Sequence, residues 1–144
     1  MQTLRELAMS YLGLPYKYGG NNPITGFDCS GLVCELLKSC GVLPHGADLN
    51  AQGLYDLLEK SGSVDRWGMG SVAFYGKDPL NITHVAFCLD QYRMIEAGGG
   101  DRTTLTAADA AAKNACVRIR PIKYRSDFMV VIKPDYARIG IIFS

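Results

Sequence analysis

Residues 15–33 read PYKYGGNNPITGFDCSGLV. The stretch turns from loop into helix, and a cysteine stands at the turning point. Residues 16–27 are crowded with Gly, Asn and Pro, which interrupt regular structure. Beyond Asp28, the apolar residues Leu32, Val33, Leu36, Leu37 and Cys40 recur at helical spacing until Gly41 stops them. Cys29 therefore heads a helix. The unpaired N–H groups and the dipole there favour a thiolate, and the same amides stabilise the oxyanion that forms when a thiolate attacks a carbonyl. Ser30 and Gly31 are small and leave room for a substrate. The competing reading is a buried core cysteine, and the polar neighbours Asp28 and Ser30 weigh against it.

Upstream, Thr3 followed by Glu6 has the spacing of a capping box. Leu4, Leu7, Ala8 and Tyr11 continue the helix, and Gly13 and Pro15 end it. Downstream, residues 50–60 form a further helix closed by Gly62. After Gly70 the period becomes strand-like. Residues 71–75, 83–89, 92–97, 116–119 and 128–132 are short, apolar, and rich in aromatic and branched side chains. A short helix over 106–113 interrupts them, capped by Thr106 with Asp109 three residues on. Helices first and an antiparallel sheet second is an α+β pattern, expected as one domain over residues 1–144. The apolar tail, IGIIFS from residue 139, reads equally as a last strand or an interface.

A cysteine nucleophile needs a base, and the chain has two histidines. His45, in LPHGAD, is flanked by turn residues and reads as a surface side chain. His84 opens the apolar strand THVAFCL, and Glu96, in RMIEAGGG, follows 12 residues later. Alone, His84 reads as a satisfied core histidine and Glu96 as a solvated strand-edge acid. A three-residue hairpin loop over 89–91 sets them directly opposite each other on one face, about 5 Å apart. A two-residue loop would put them on opposite faces. In the first case the carboxylate orients the imidazole, and Cys29, His84 and Glu96 form a catalytic triad.

Three blocks, PYKYGGNNPITGFDCSGLV, THVAF (residues 83–87) and MIEA (residues 94–97), together resemble the NlpC family of papain-like cell-wall cysteine endopeptidases. The order of cysteine, histidine and third polar residue agrees, as does the gap between the last two. The resemblance runs from about residue 4 to residue 97. It implies a papain-like NlpC-type fold, with N-terminal helices packed on a small antiparallel sheet. It also implies a thiol peptidase that hydrolyses peptidoglycan stem peptides, commonly between D-glutamate and a diamino acid. Tyr16 matches the family tyrosine beside the nucleophile, and it reads as well as a loop residue packed on the core. Asp28 and Ser30 match positions that hold a free N-terminal amine, and Asp28 reads as well as a helix cap. The third position is usually His in this family and is Glu96 here. The strand at 71–75 usually opens with Gly-Asp, where this chain has Gly70-Ser71. A wall amidase with the same nucleophile, and a non-catalytic wall-binding or phage-tail domain, are the alternative functions.

The whole chain narrows the partners. A formal net charge of +1 over 144 residues, with Lys and Arg scattered, argues against a nucleic-acid partner. No stretch approaches the roughly 18 apolar residues of a membrane span, and the first residues lack an apolar signal core. The five cysteines include no CxxC pair, so no metal site is expected, and the proposed chemistry needs no cofactor. Cys34, Cys40, Cys88 and Cys116 sit among apolar residues and are expected to be buried. With no visible secretion signal or wall-binding repeat, delivery by a phage tail or another assembly is the expected setting.

Overall fold

The computed structural model describes residues 2–139. Helix α1 (Gln2–Ser10) is followed by a two-stranded hairpin, β1 (Asn21–Asn22) and β2 (Gly26–Phe27). Then come α2 (Cys29–Ser39), α3 (Ala51–Ser61), β3 (Ser63–Val64), β4 (Val72–Gly76), β5 (Ile82–Cys88), β6 (Arg93–Gly98), α4 (Ala107–Lys113), β7 (Cys116–Pro121) and β8 (Phe128–Lys133). Among the described residues, six strands form one antiparallel sheet in the order β3-β8-β4-β5-β6-β7. The architecture is the expected α+β.

Period-two alternation divides the sheet. Phe74, Val85, Phe87, Ile95 and Ala97 face a core shared with Leu4, Ala8, Leu32, Leu36, Leu37, Leu54 and Leu58 of the helices. Ala73, Tyr75, Ala86, Cys88, Met94 and Val131 form a second cluster, closed by Ile122. Leu32, Leu36 and Leu37 of α2 are wholly buried. Each contributes about 1.5–3 kcal/mol of transfer free energy, so α2 is anchored along its length. Its N-terminus is thereby held against β5 and β6.

Capping residues set the helix boundaries. Asp28 caps α2 through Gly31 N–H, Asn50 caps α3 through Gly53 N–H, and Thr106 with Asp109 makes a full capping box on α4. The cap expected at Thr3 is not formed. Thr3 lies inside α1, and Glu6 accepts instead from Gln2 Nε2 at 3.3 Å, one turn earlier. The 16–27 segment, expected as loop, pairs locally as β1 and β2, and β3 is a further short edge strand. Cys34 and Cys88 are buried as expected, but Cys40 and Cys116 are only half-buried. Apart from Ile139, which ends a short 3₁₀ turn, the apolar tail lies outside the described residues.

The Gly70-Ser71 opening of the strand has a physical account. Ser71 is fully buried, and its hydroxyl donates to the Arg66 carbonyl while its own carbonyl accepts from Cys88 N–H. A carboxylate at that position would meet a carbonyl oxygen with no proton to share.

Gly31 is the tightest point of the α2 approach, because a Cβ there would overlap the Gly20 carbonyl oxygen. Gly31→Ala must push the Gly20 loop away from α2, and overpacking of this kind costs about 1–3 kcal/mol. Thermal unfolding of the variant is expected roughly 4 °C or more below wild type. An unchanged midpoint would show that the loop yields freely.

Candidate active site

The site is assembled from the N-terminus of α2 and one face of β5 and β6. Cys29 is the first residue of α2 and is half-buried. The Gly31 N–H is taken by Asp28 Oδ1 at 2.7 Å. The N–H groups of Cys29 and Ser30 belong to the same first turn, where the helix offers no carbonyl acceptor. Cys29 thus carries its sulfur beside two amides pointing out of the helix end.

His84 is 6% exposed and Glu96 is 1% exposed. His84 Nε2 lies 2.6 Å from Glu96 Oε1, and the Cys29 thiol is near enough to favour the charged imidazole. With Nε2 committed to the carboxylate, Nδ1 is the ring nitrogen left for sulfur. Burial disfavours the imidazolium, but the bonds to Cys29 and Glu96 outweigh it and raise His84 to about 9. Burial likewise pushes the Glu96 carboxyl up, and the hydrogen bond and charge of His84, helped by Arg118, bring it below its ordinary value. Both shifts point the same way, to a buried imidazolium–carboxylate pair with a thiol at its open end.

The expected His84–Glu96 pairing is met by a different register. Phe87 pairs with Ile95 and Cys88 with Met94. Carried on, this register sets Glu96 across from Ala86, so His84 and Glu96 meet diagonally instead of directly. The hairpin loop has the expected three residues but begins one residue later, at Asp90. Leu89 N–H donates to the Arg93 carbonyl, and Asp90 Oδ1 accepts from the N–H groups of Tyr92 and Arg93 at 2.8 and 2.7 Å. Asp90 thus starts the turn itself, and a shift of two in register keeps both residues on one face.

Tyr16 is 8% exposed, with its ring flat against Gly100. Burial, then the charges of nearby Cys29 and Asp28, raise its phenol well above the ordinary tyrosine value. Asp28 is half-buried and uses both oxygens. Oδ1 accepts from Gly31 N–H and, at 3.3 Å, from the Ser30 hydroxyl, and Oδ2 accepts from Gly19 N–H at 3.1 Å. Burial holds its carboxyl above the ordinary value against these donors. Ser30 is buried, and its hydroxyl is aimed at Asp28. His45 is exposed, as expected.

Two residues at the site carry no motif. Tyr75 of β4 pairs across from His84, with ring centroids 5.3 Å apart, and its hydroxyl donates to the Ile122 carbonyl at 2.6 Å. Arg118 of β7 pairs across from Glu96. The alternation of residues 116–120, CVRIR, is the sequence signal for such a cross-strand partner, but it has no meaning until the register is known.

Known proteins share the family and the fold. The NlpC/P60 family matches residues 13–120. The bifunctional muramidase/DL-endopeptidase CwlT of Bacillus subtilis is 34% identical over 99 residues, covering 67% of this chain and 29% of CwlT. The peptidoglycan endopeptidase RipA of Mycobacterium tuberculosis is 35% identical over 102 residues, covering 62% of this chain and 20% of RipA. The chain thus spans less than a third of either relative. The crystal structure of the NlpC/p60 domain of the peptidoglycan hydrolase SagA shares the fold, with a TM-score of 0.66 at 21% identity over 92% of this chain and 97% of that one. The match over residues 13–120 includes the loop into α2 and the β5–β6 hairpin, and the chain belongs to the NlpC/P60 family.

Proposed function

We propose that this protein is a cysteine endopeptidase of peptidoglycan stem peptides, with Cys29 as nucleophile, His84 as proton carrier and Glu96 as its orienting acid. The observation that carries the reading is His84 held through Nε2 by Glu96 at 2.6 Å, with Cys29 close enough to raise its pKa. The family and the names of CwlT and RipA support the substrate class.

The cycle follows from the charges. With His84 raised to about 9, its imidazole is able to take and hold the Cys29 proton at neutral pH. The thiolate attacks the scissile carbonyl, and the first-turn amides of α2, with the Tyr16 hydroxyl, receive the oxyanion. His84 protonates the departing amine. A water molecule gives His84 a proton as it hydrolyses the thioester, which restores the thiol pair. In this reading Asp28 and Ser30, which flank Cys29 in the chain, line the substrate pocket. A carboxylate accepts about four hydrogen bonds, and the three made by Asp28 leave one site for a substrate ammonium. Capping and amine recognition are therefore compatible in one residue. Cleavage after D-glutamate in a peptide with a free L-alanine amine fits this pocket and the DL-endopeptidase name of CwlT.

Delivery to the wall by a phage tail or a similar assembly belongs to the same proposal, and detection of the protein in purified particles tests it.

Two measurements test the chemistry. Purified peptidoglycan and free stem peptides are digested with wild type and with Cys29→Ala, and the products are read by mass spectrometry. Cleavage within the stem peptide by wild type alone is expected. Intact stem peptides released from the sugar would make the protein an amidase, and silence of both proteins on several wall types would favour a structural role. The pH profile is the second. The alkaline fall in kcat/KM follows loss of the His84 proton, near pH 9 in wild type. Glu96→Gln removes support for the charged imidazole, so this limb moves to lower pH and the rate drops at least about tenfold. A limb that stays in place would show that Glu96 does not act on His84.

A further inference from the structure

Glu96 divides its two oxygens between two partners. Oε1 accepts from His84, and Oε2 faces Arg118 Nε at 3.5 Å. Glu96 and Arg118 are a directly paired couple in the β6–β7 ladder, so both project from the face that carries His84. The guanidinium is also held from its other side, with Nη1 donating to the Asn114 carbonyl at 3.3 Å, where α4 ends in a left-handed residue. Its side chain is 19% exposed.

The backbone leaves space for this arrangement. A Cβ at Gly98 would sit 2.7 Å from Glu96 Oε2 and 3.2 Å from Arg118 Nη2. A Cβ at Gly99 would sit 3.2 Å from the same Nη2. A side chain at Gly98 would thus drive the carboxylate and the guanidinium apart.

Other charged or titratable groups face the same buried pair. Cys29 meets His84 from α2, Tyr75 meets it from β4, and Arg125 and Asp127 lie just before β8. Arg125 is already bound to Asp127 through two hydrogen bonds, at 2.9 and 3.0 Å. Among the described residues, Arg118 is the cation of Arg or Lys type that reaches Glu96.

We propose that Arg118 is a positioning residue of the catalytic group, holding Glu96 ionised and aimed at His84 through the carboxylate oxygen that His84 does not use. The proposal rests on the reading of Cys29 and His84 as a nucleophile–base pair. Arg118 touches no substrate in it. Its effect passes through Glu96, which without a second cation would be a buried carboxylate with one partner. Arg118 gives a Glu at the third position the permanent charge that a neutral third residue would not need.

The test is the pH dependence of Cys29 alkylation by iodoacetamide, followed at the Cys29 peptide by mass spectrometry so that the other four cysteines do not interfere. The readout needs no wall substrate. Removing a cation stabilises every protonated neighbour, so in Arg118→Met Glu96 takes up its proton at higher pH and His84 releases its proton at higher pH. Both limbs of the profile are expected to move up by about one unit, and kcat/KM on peptidoglycan at neutral pH to fall about tenfold. Arg118→Lys keeps the charge and is expected to return the limbs to their wild-type positions. In a Glu96→Gln background, Arg118→Met is expected to leave the rate and the Glu96-dependent limb unchanged, because the residue it acts through is gone, and to move only the His84 limb through the direct loss of charge. That double variant leaves no unpaired buried charge, so it reports even if the single variant does not fold. Limbs unmoved in Arg118→Met, or an additive loss in the double variant, would overturn the proposal and leave Arg118 a brace between strands. A wild type inert on wall, together with the limb shift in Arg118→Met, would sink the peptidase reading and leave this one standing.

Discussion

A carboxylate at 1% exposure is the constraint around which the sheet is organised. Removing such a charge from water costs several kcal/mol unless partners replace the lost hydration. Glu96 has two, His84 from β5 and Arg118 from β7, on the two strands that flank its own. A one-residue slip of β6 against either neighbour would turn the carboxylate into the opposite, apolar face and strand it. Register, burial and the presentation of His84 to Cys29 are therefore one requirement. The hydrophobic alternation of Met94, Ile95 and Ala97 on the same strand agrees with it.

The other half of the site is built on the first turn of α2, which has several tasks at once. It carries the sulfur, leaves two amides outward, and ties down the preceding loop through Asp28, whose carboxylate joins Gly19 to Gly31. The three buried leucines that follow make this end rigid with respect to the sheet. A cysteine on a helix packed this way is aimed by the core rather than by its own rotamer freedom.

Much of this was legible in the chain because the signals are local. Asp28, Asn50 and Thr106 each cap the helix they precede, and the apolar spacing behind them decides where the helices run. The even gap between His84 and Glu96 puts both on one face once the loop between them has three residues. It was not enough for the register, because Asp90 binds two amides ahead of it and moves the loop by one residue. Thr3 does not cap for a related reason, since α1 already includes Gln2, which pairs with Glu6 from one residue ahead of the motif. Tyr75 had no local signal, and the alternation around Arg118 names no partner by itself. Arg118 stands 22 residues from Glu96 with α4 between them, so only the folded ladder brings them together. The departure at Ser71 has its reason in the Arg66 carbonyl, five residues back, which accepts from the serine hydroxyl.

The diagonal contact between His84 and Glu96 has a consequence for which side chains this frame accepts. Diagonal neighbours on adjacent strands stand about 7–8 Å apart at their backbones, against about 5 Å for directly opposed ones. Reach then matters as much as charge. Glutamate and histidine both extend far enough along the strand to meet the imidazole, whereas aspartate and asparagine, a methylene shorter than glutamate and glutamine, stop short of it. The geometry acts as a ruler. It admits side chains of very different acidity at the third position and rejects a chemically closer but shorter one.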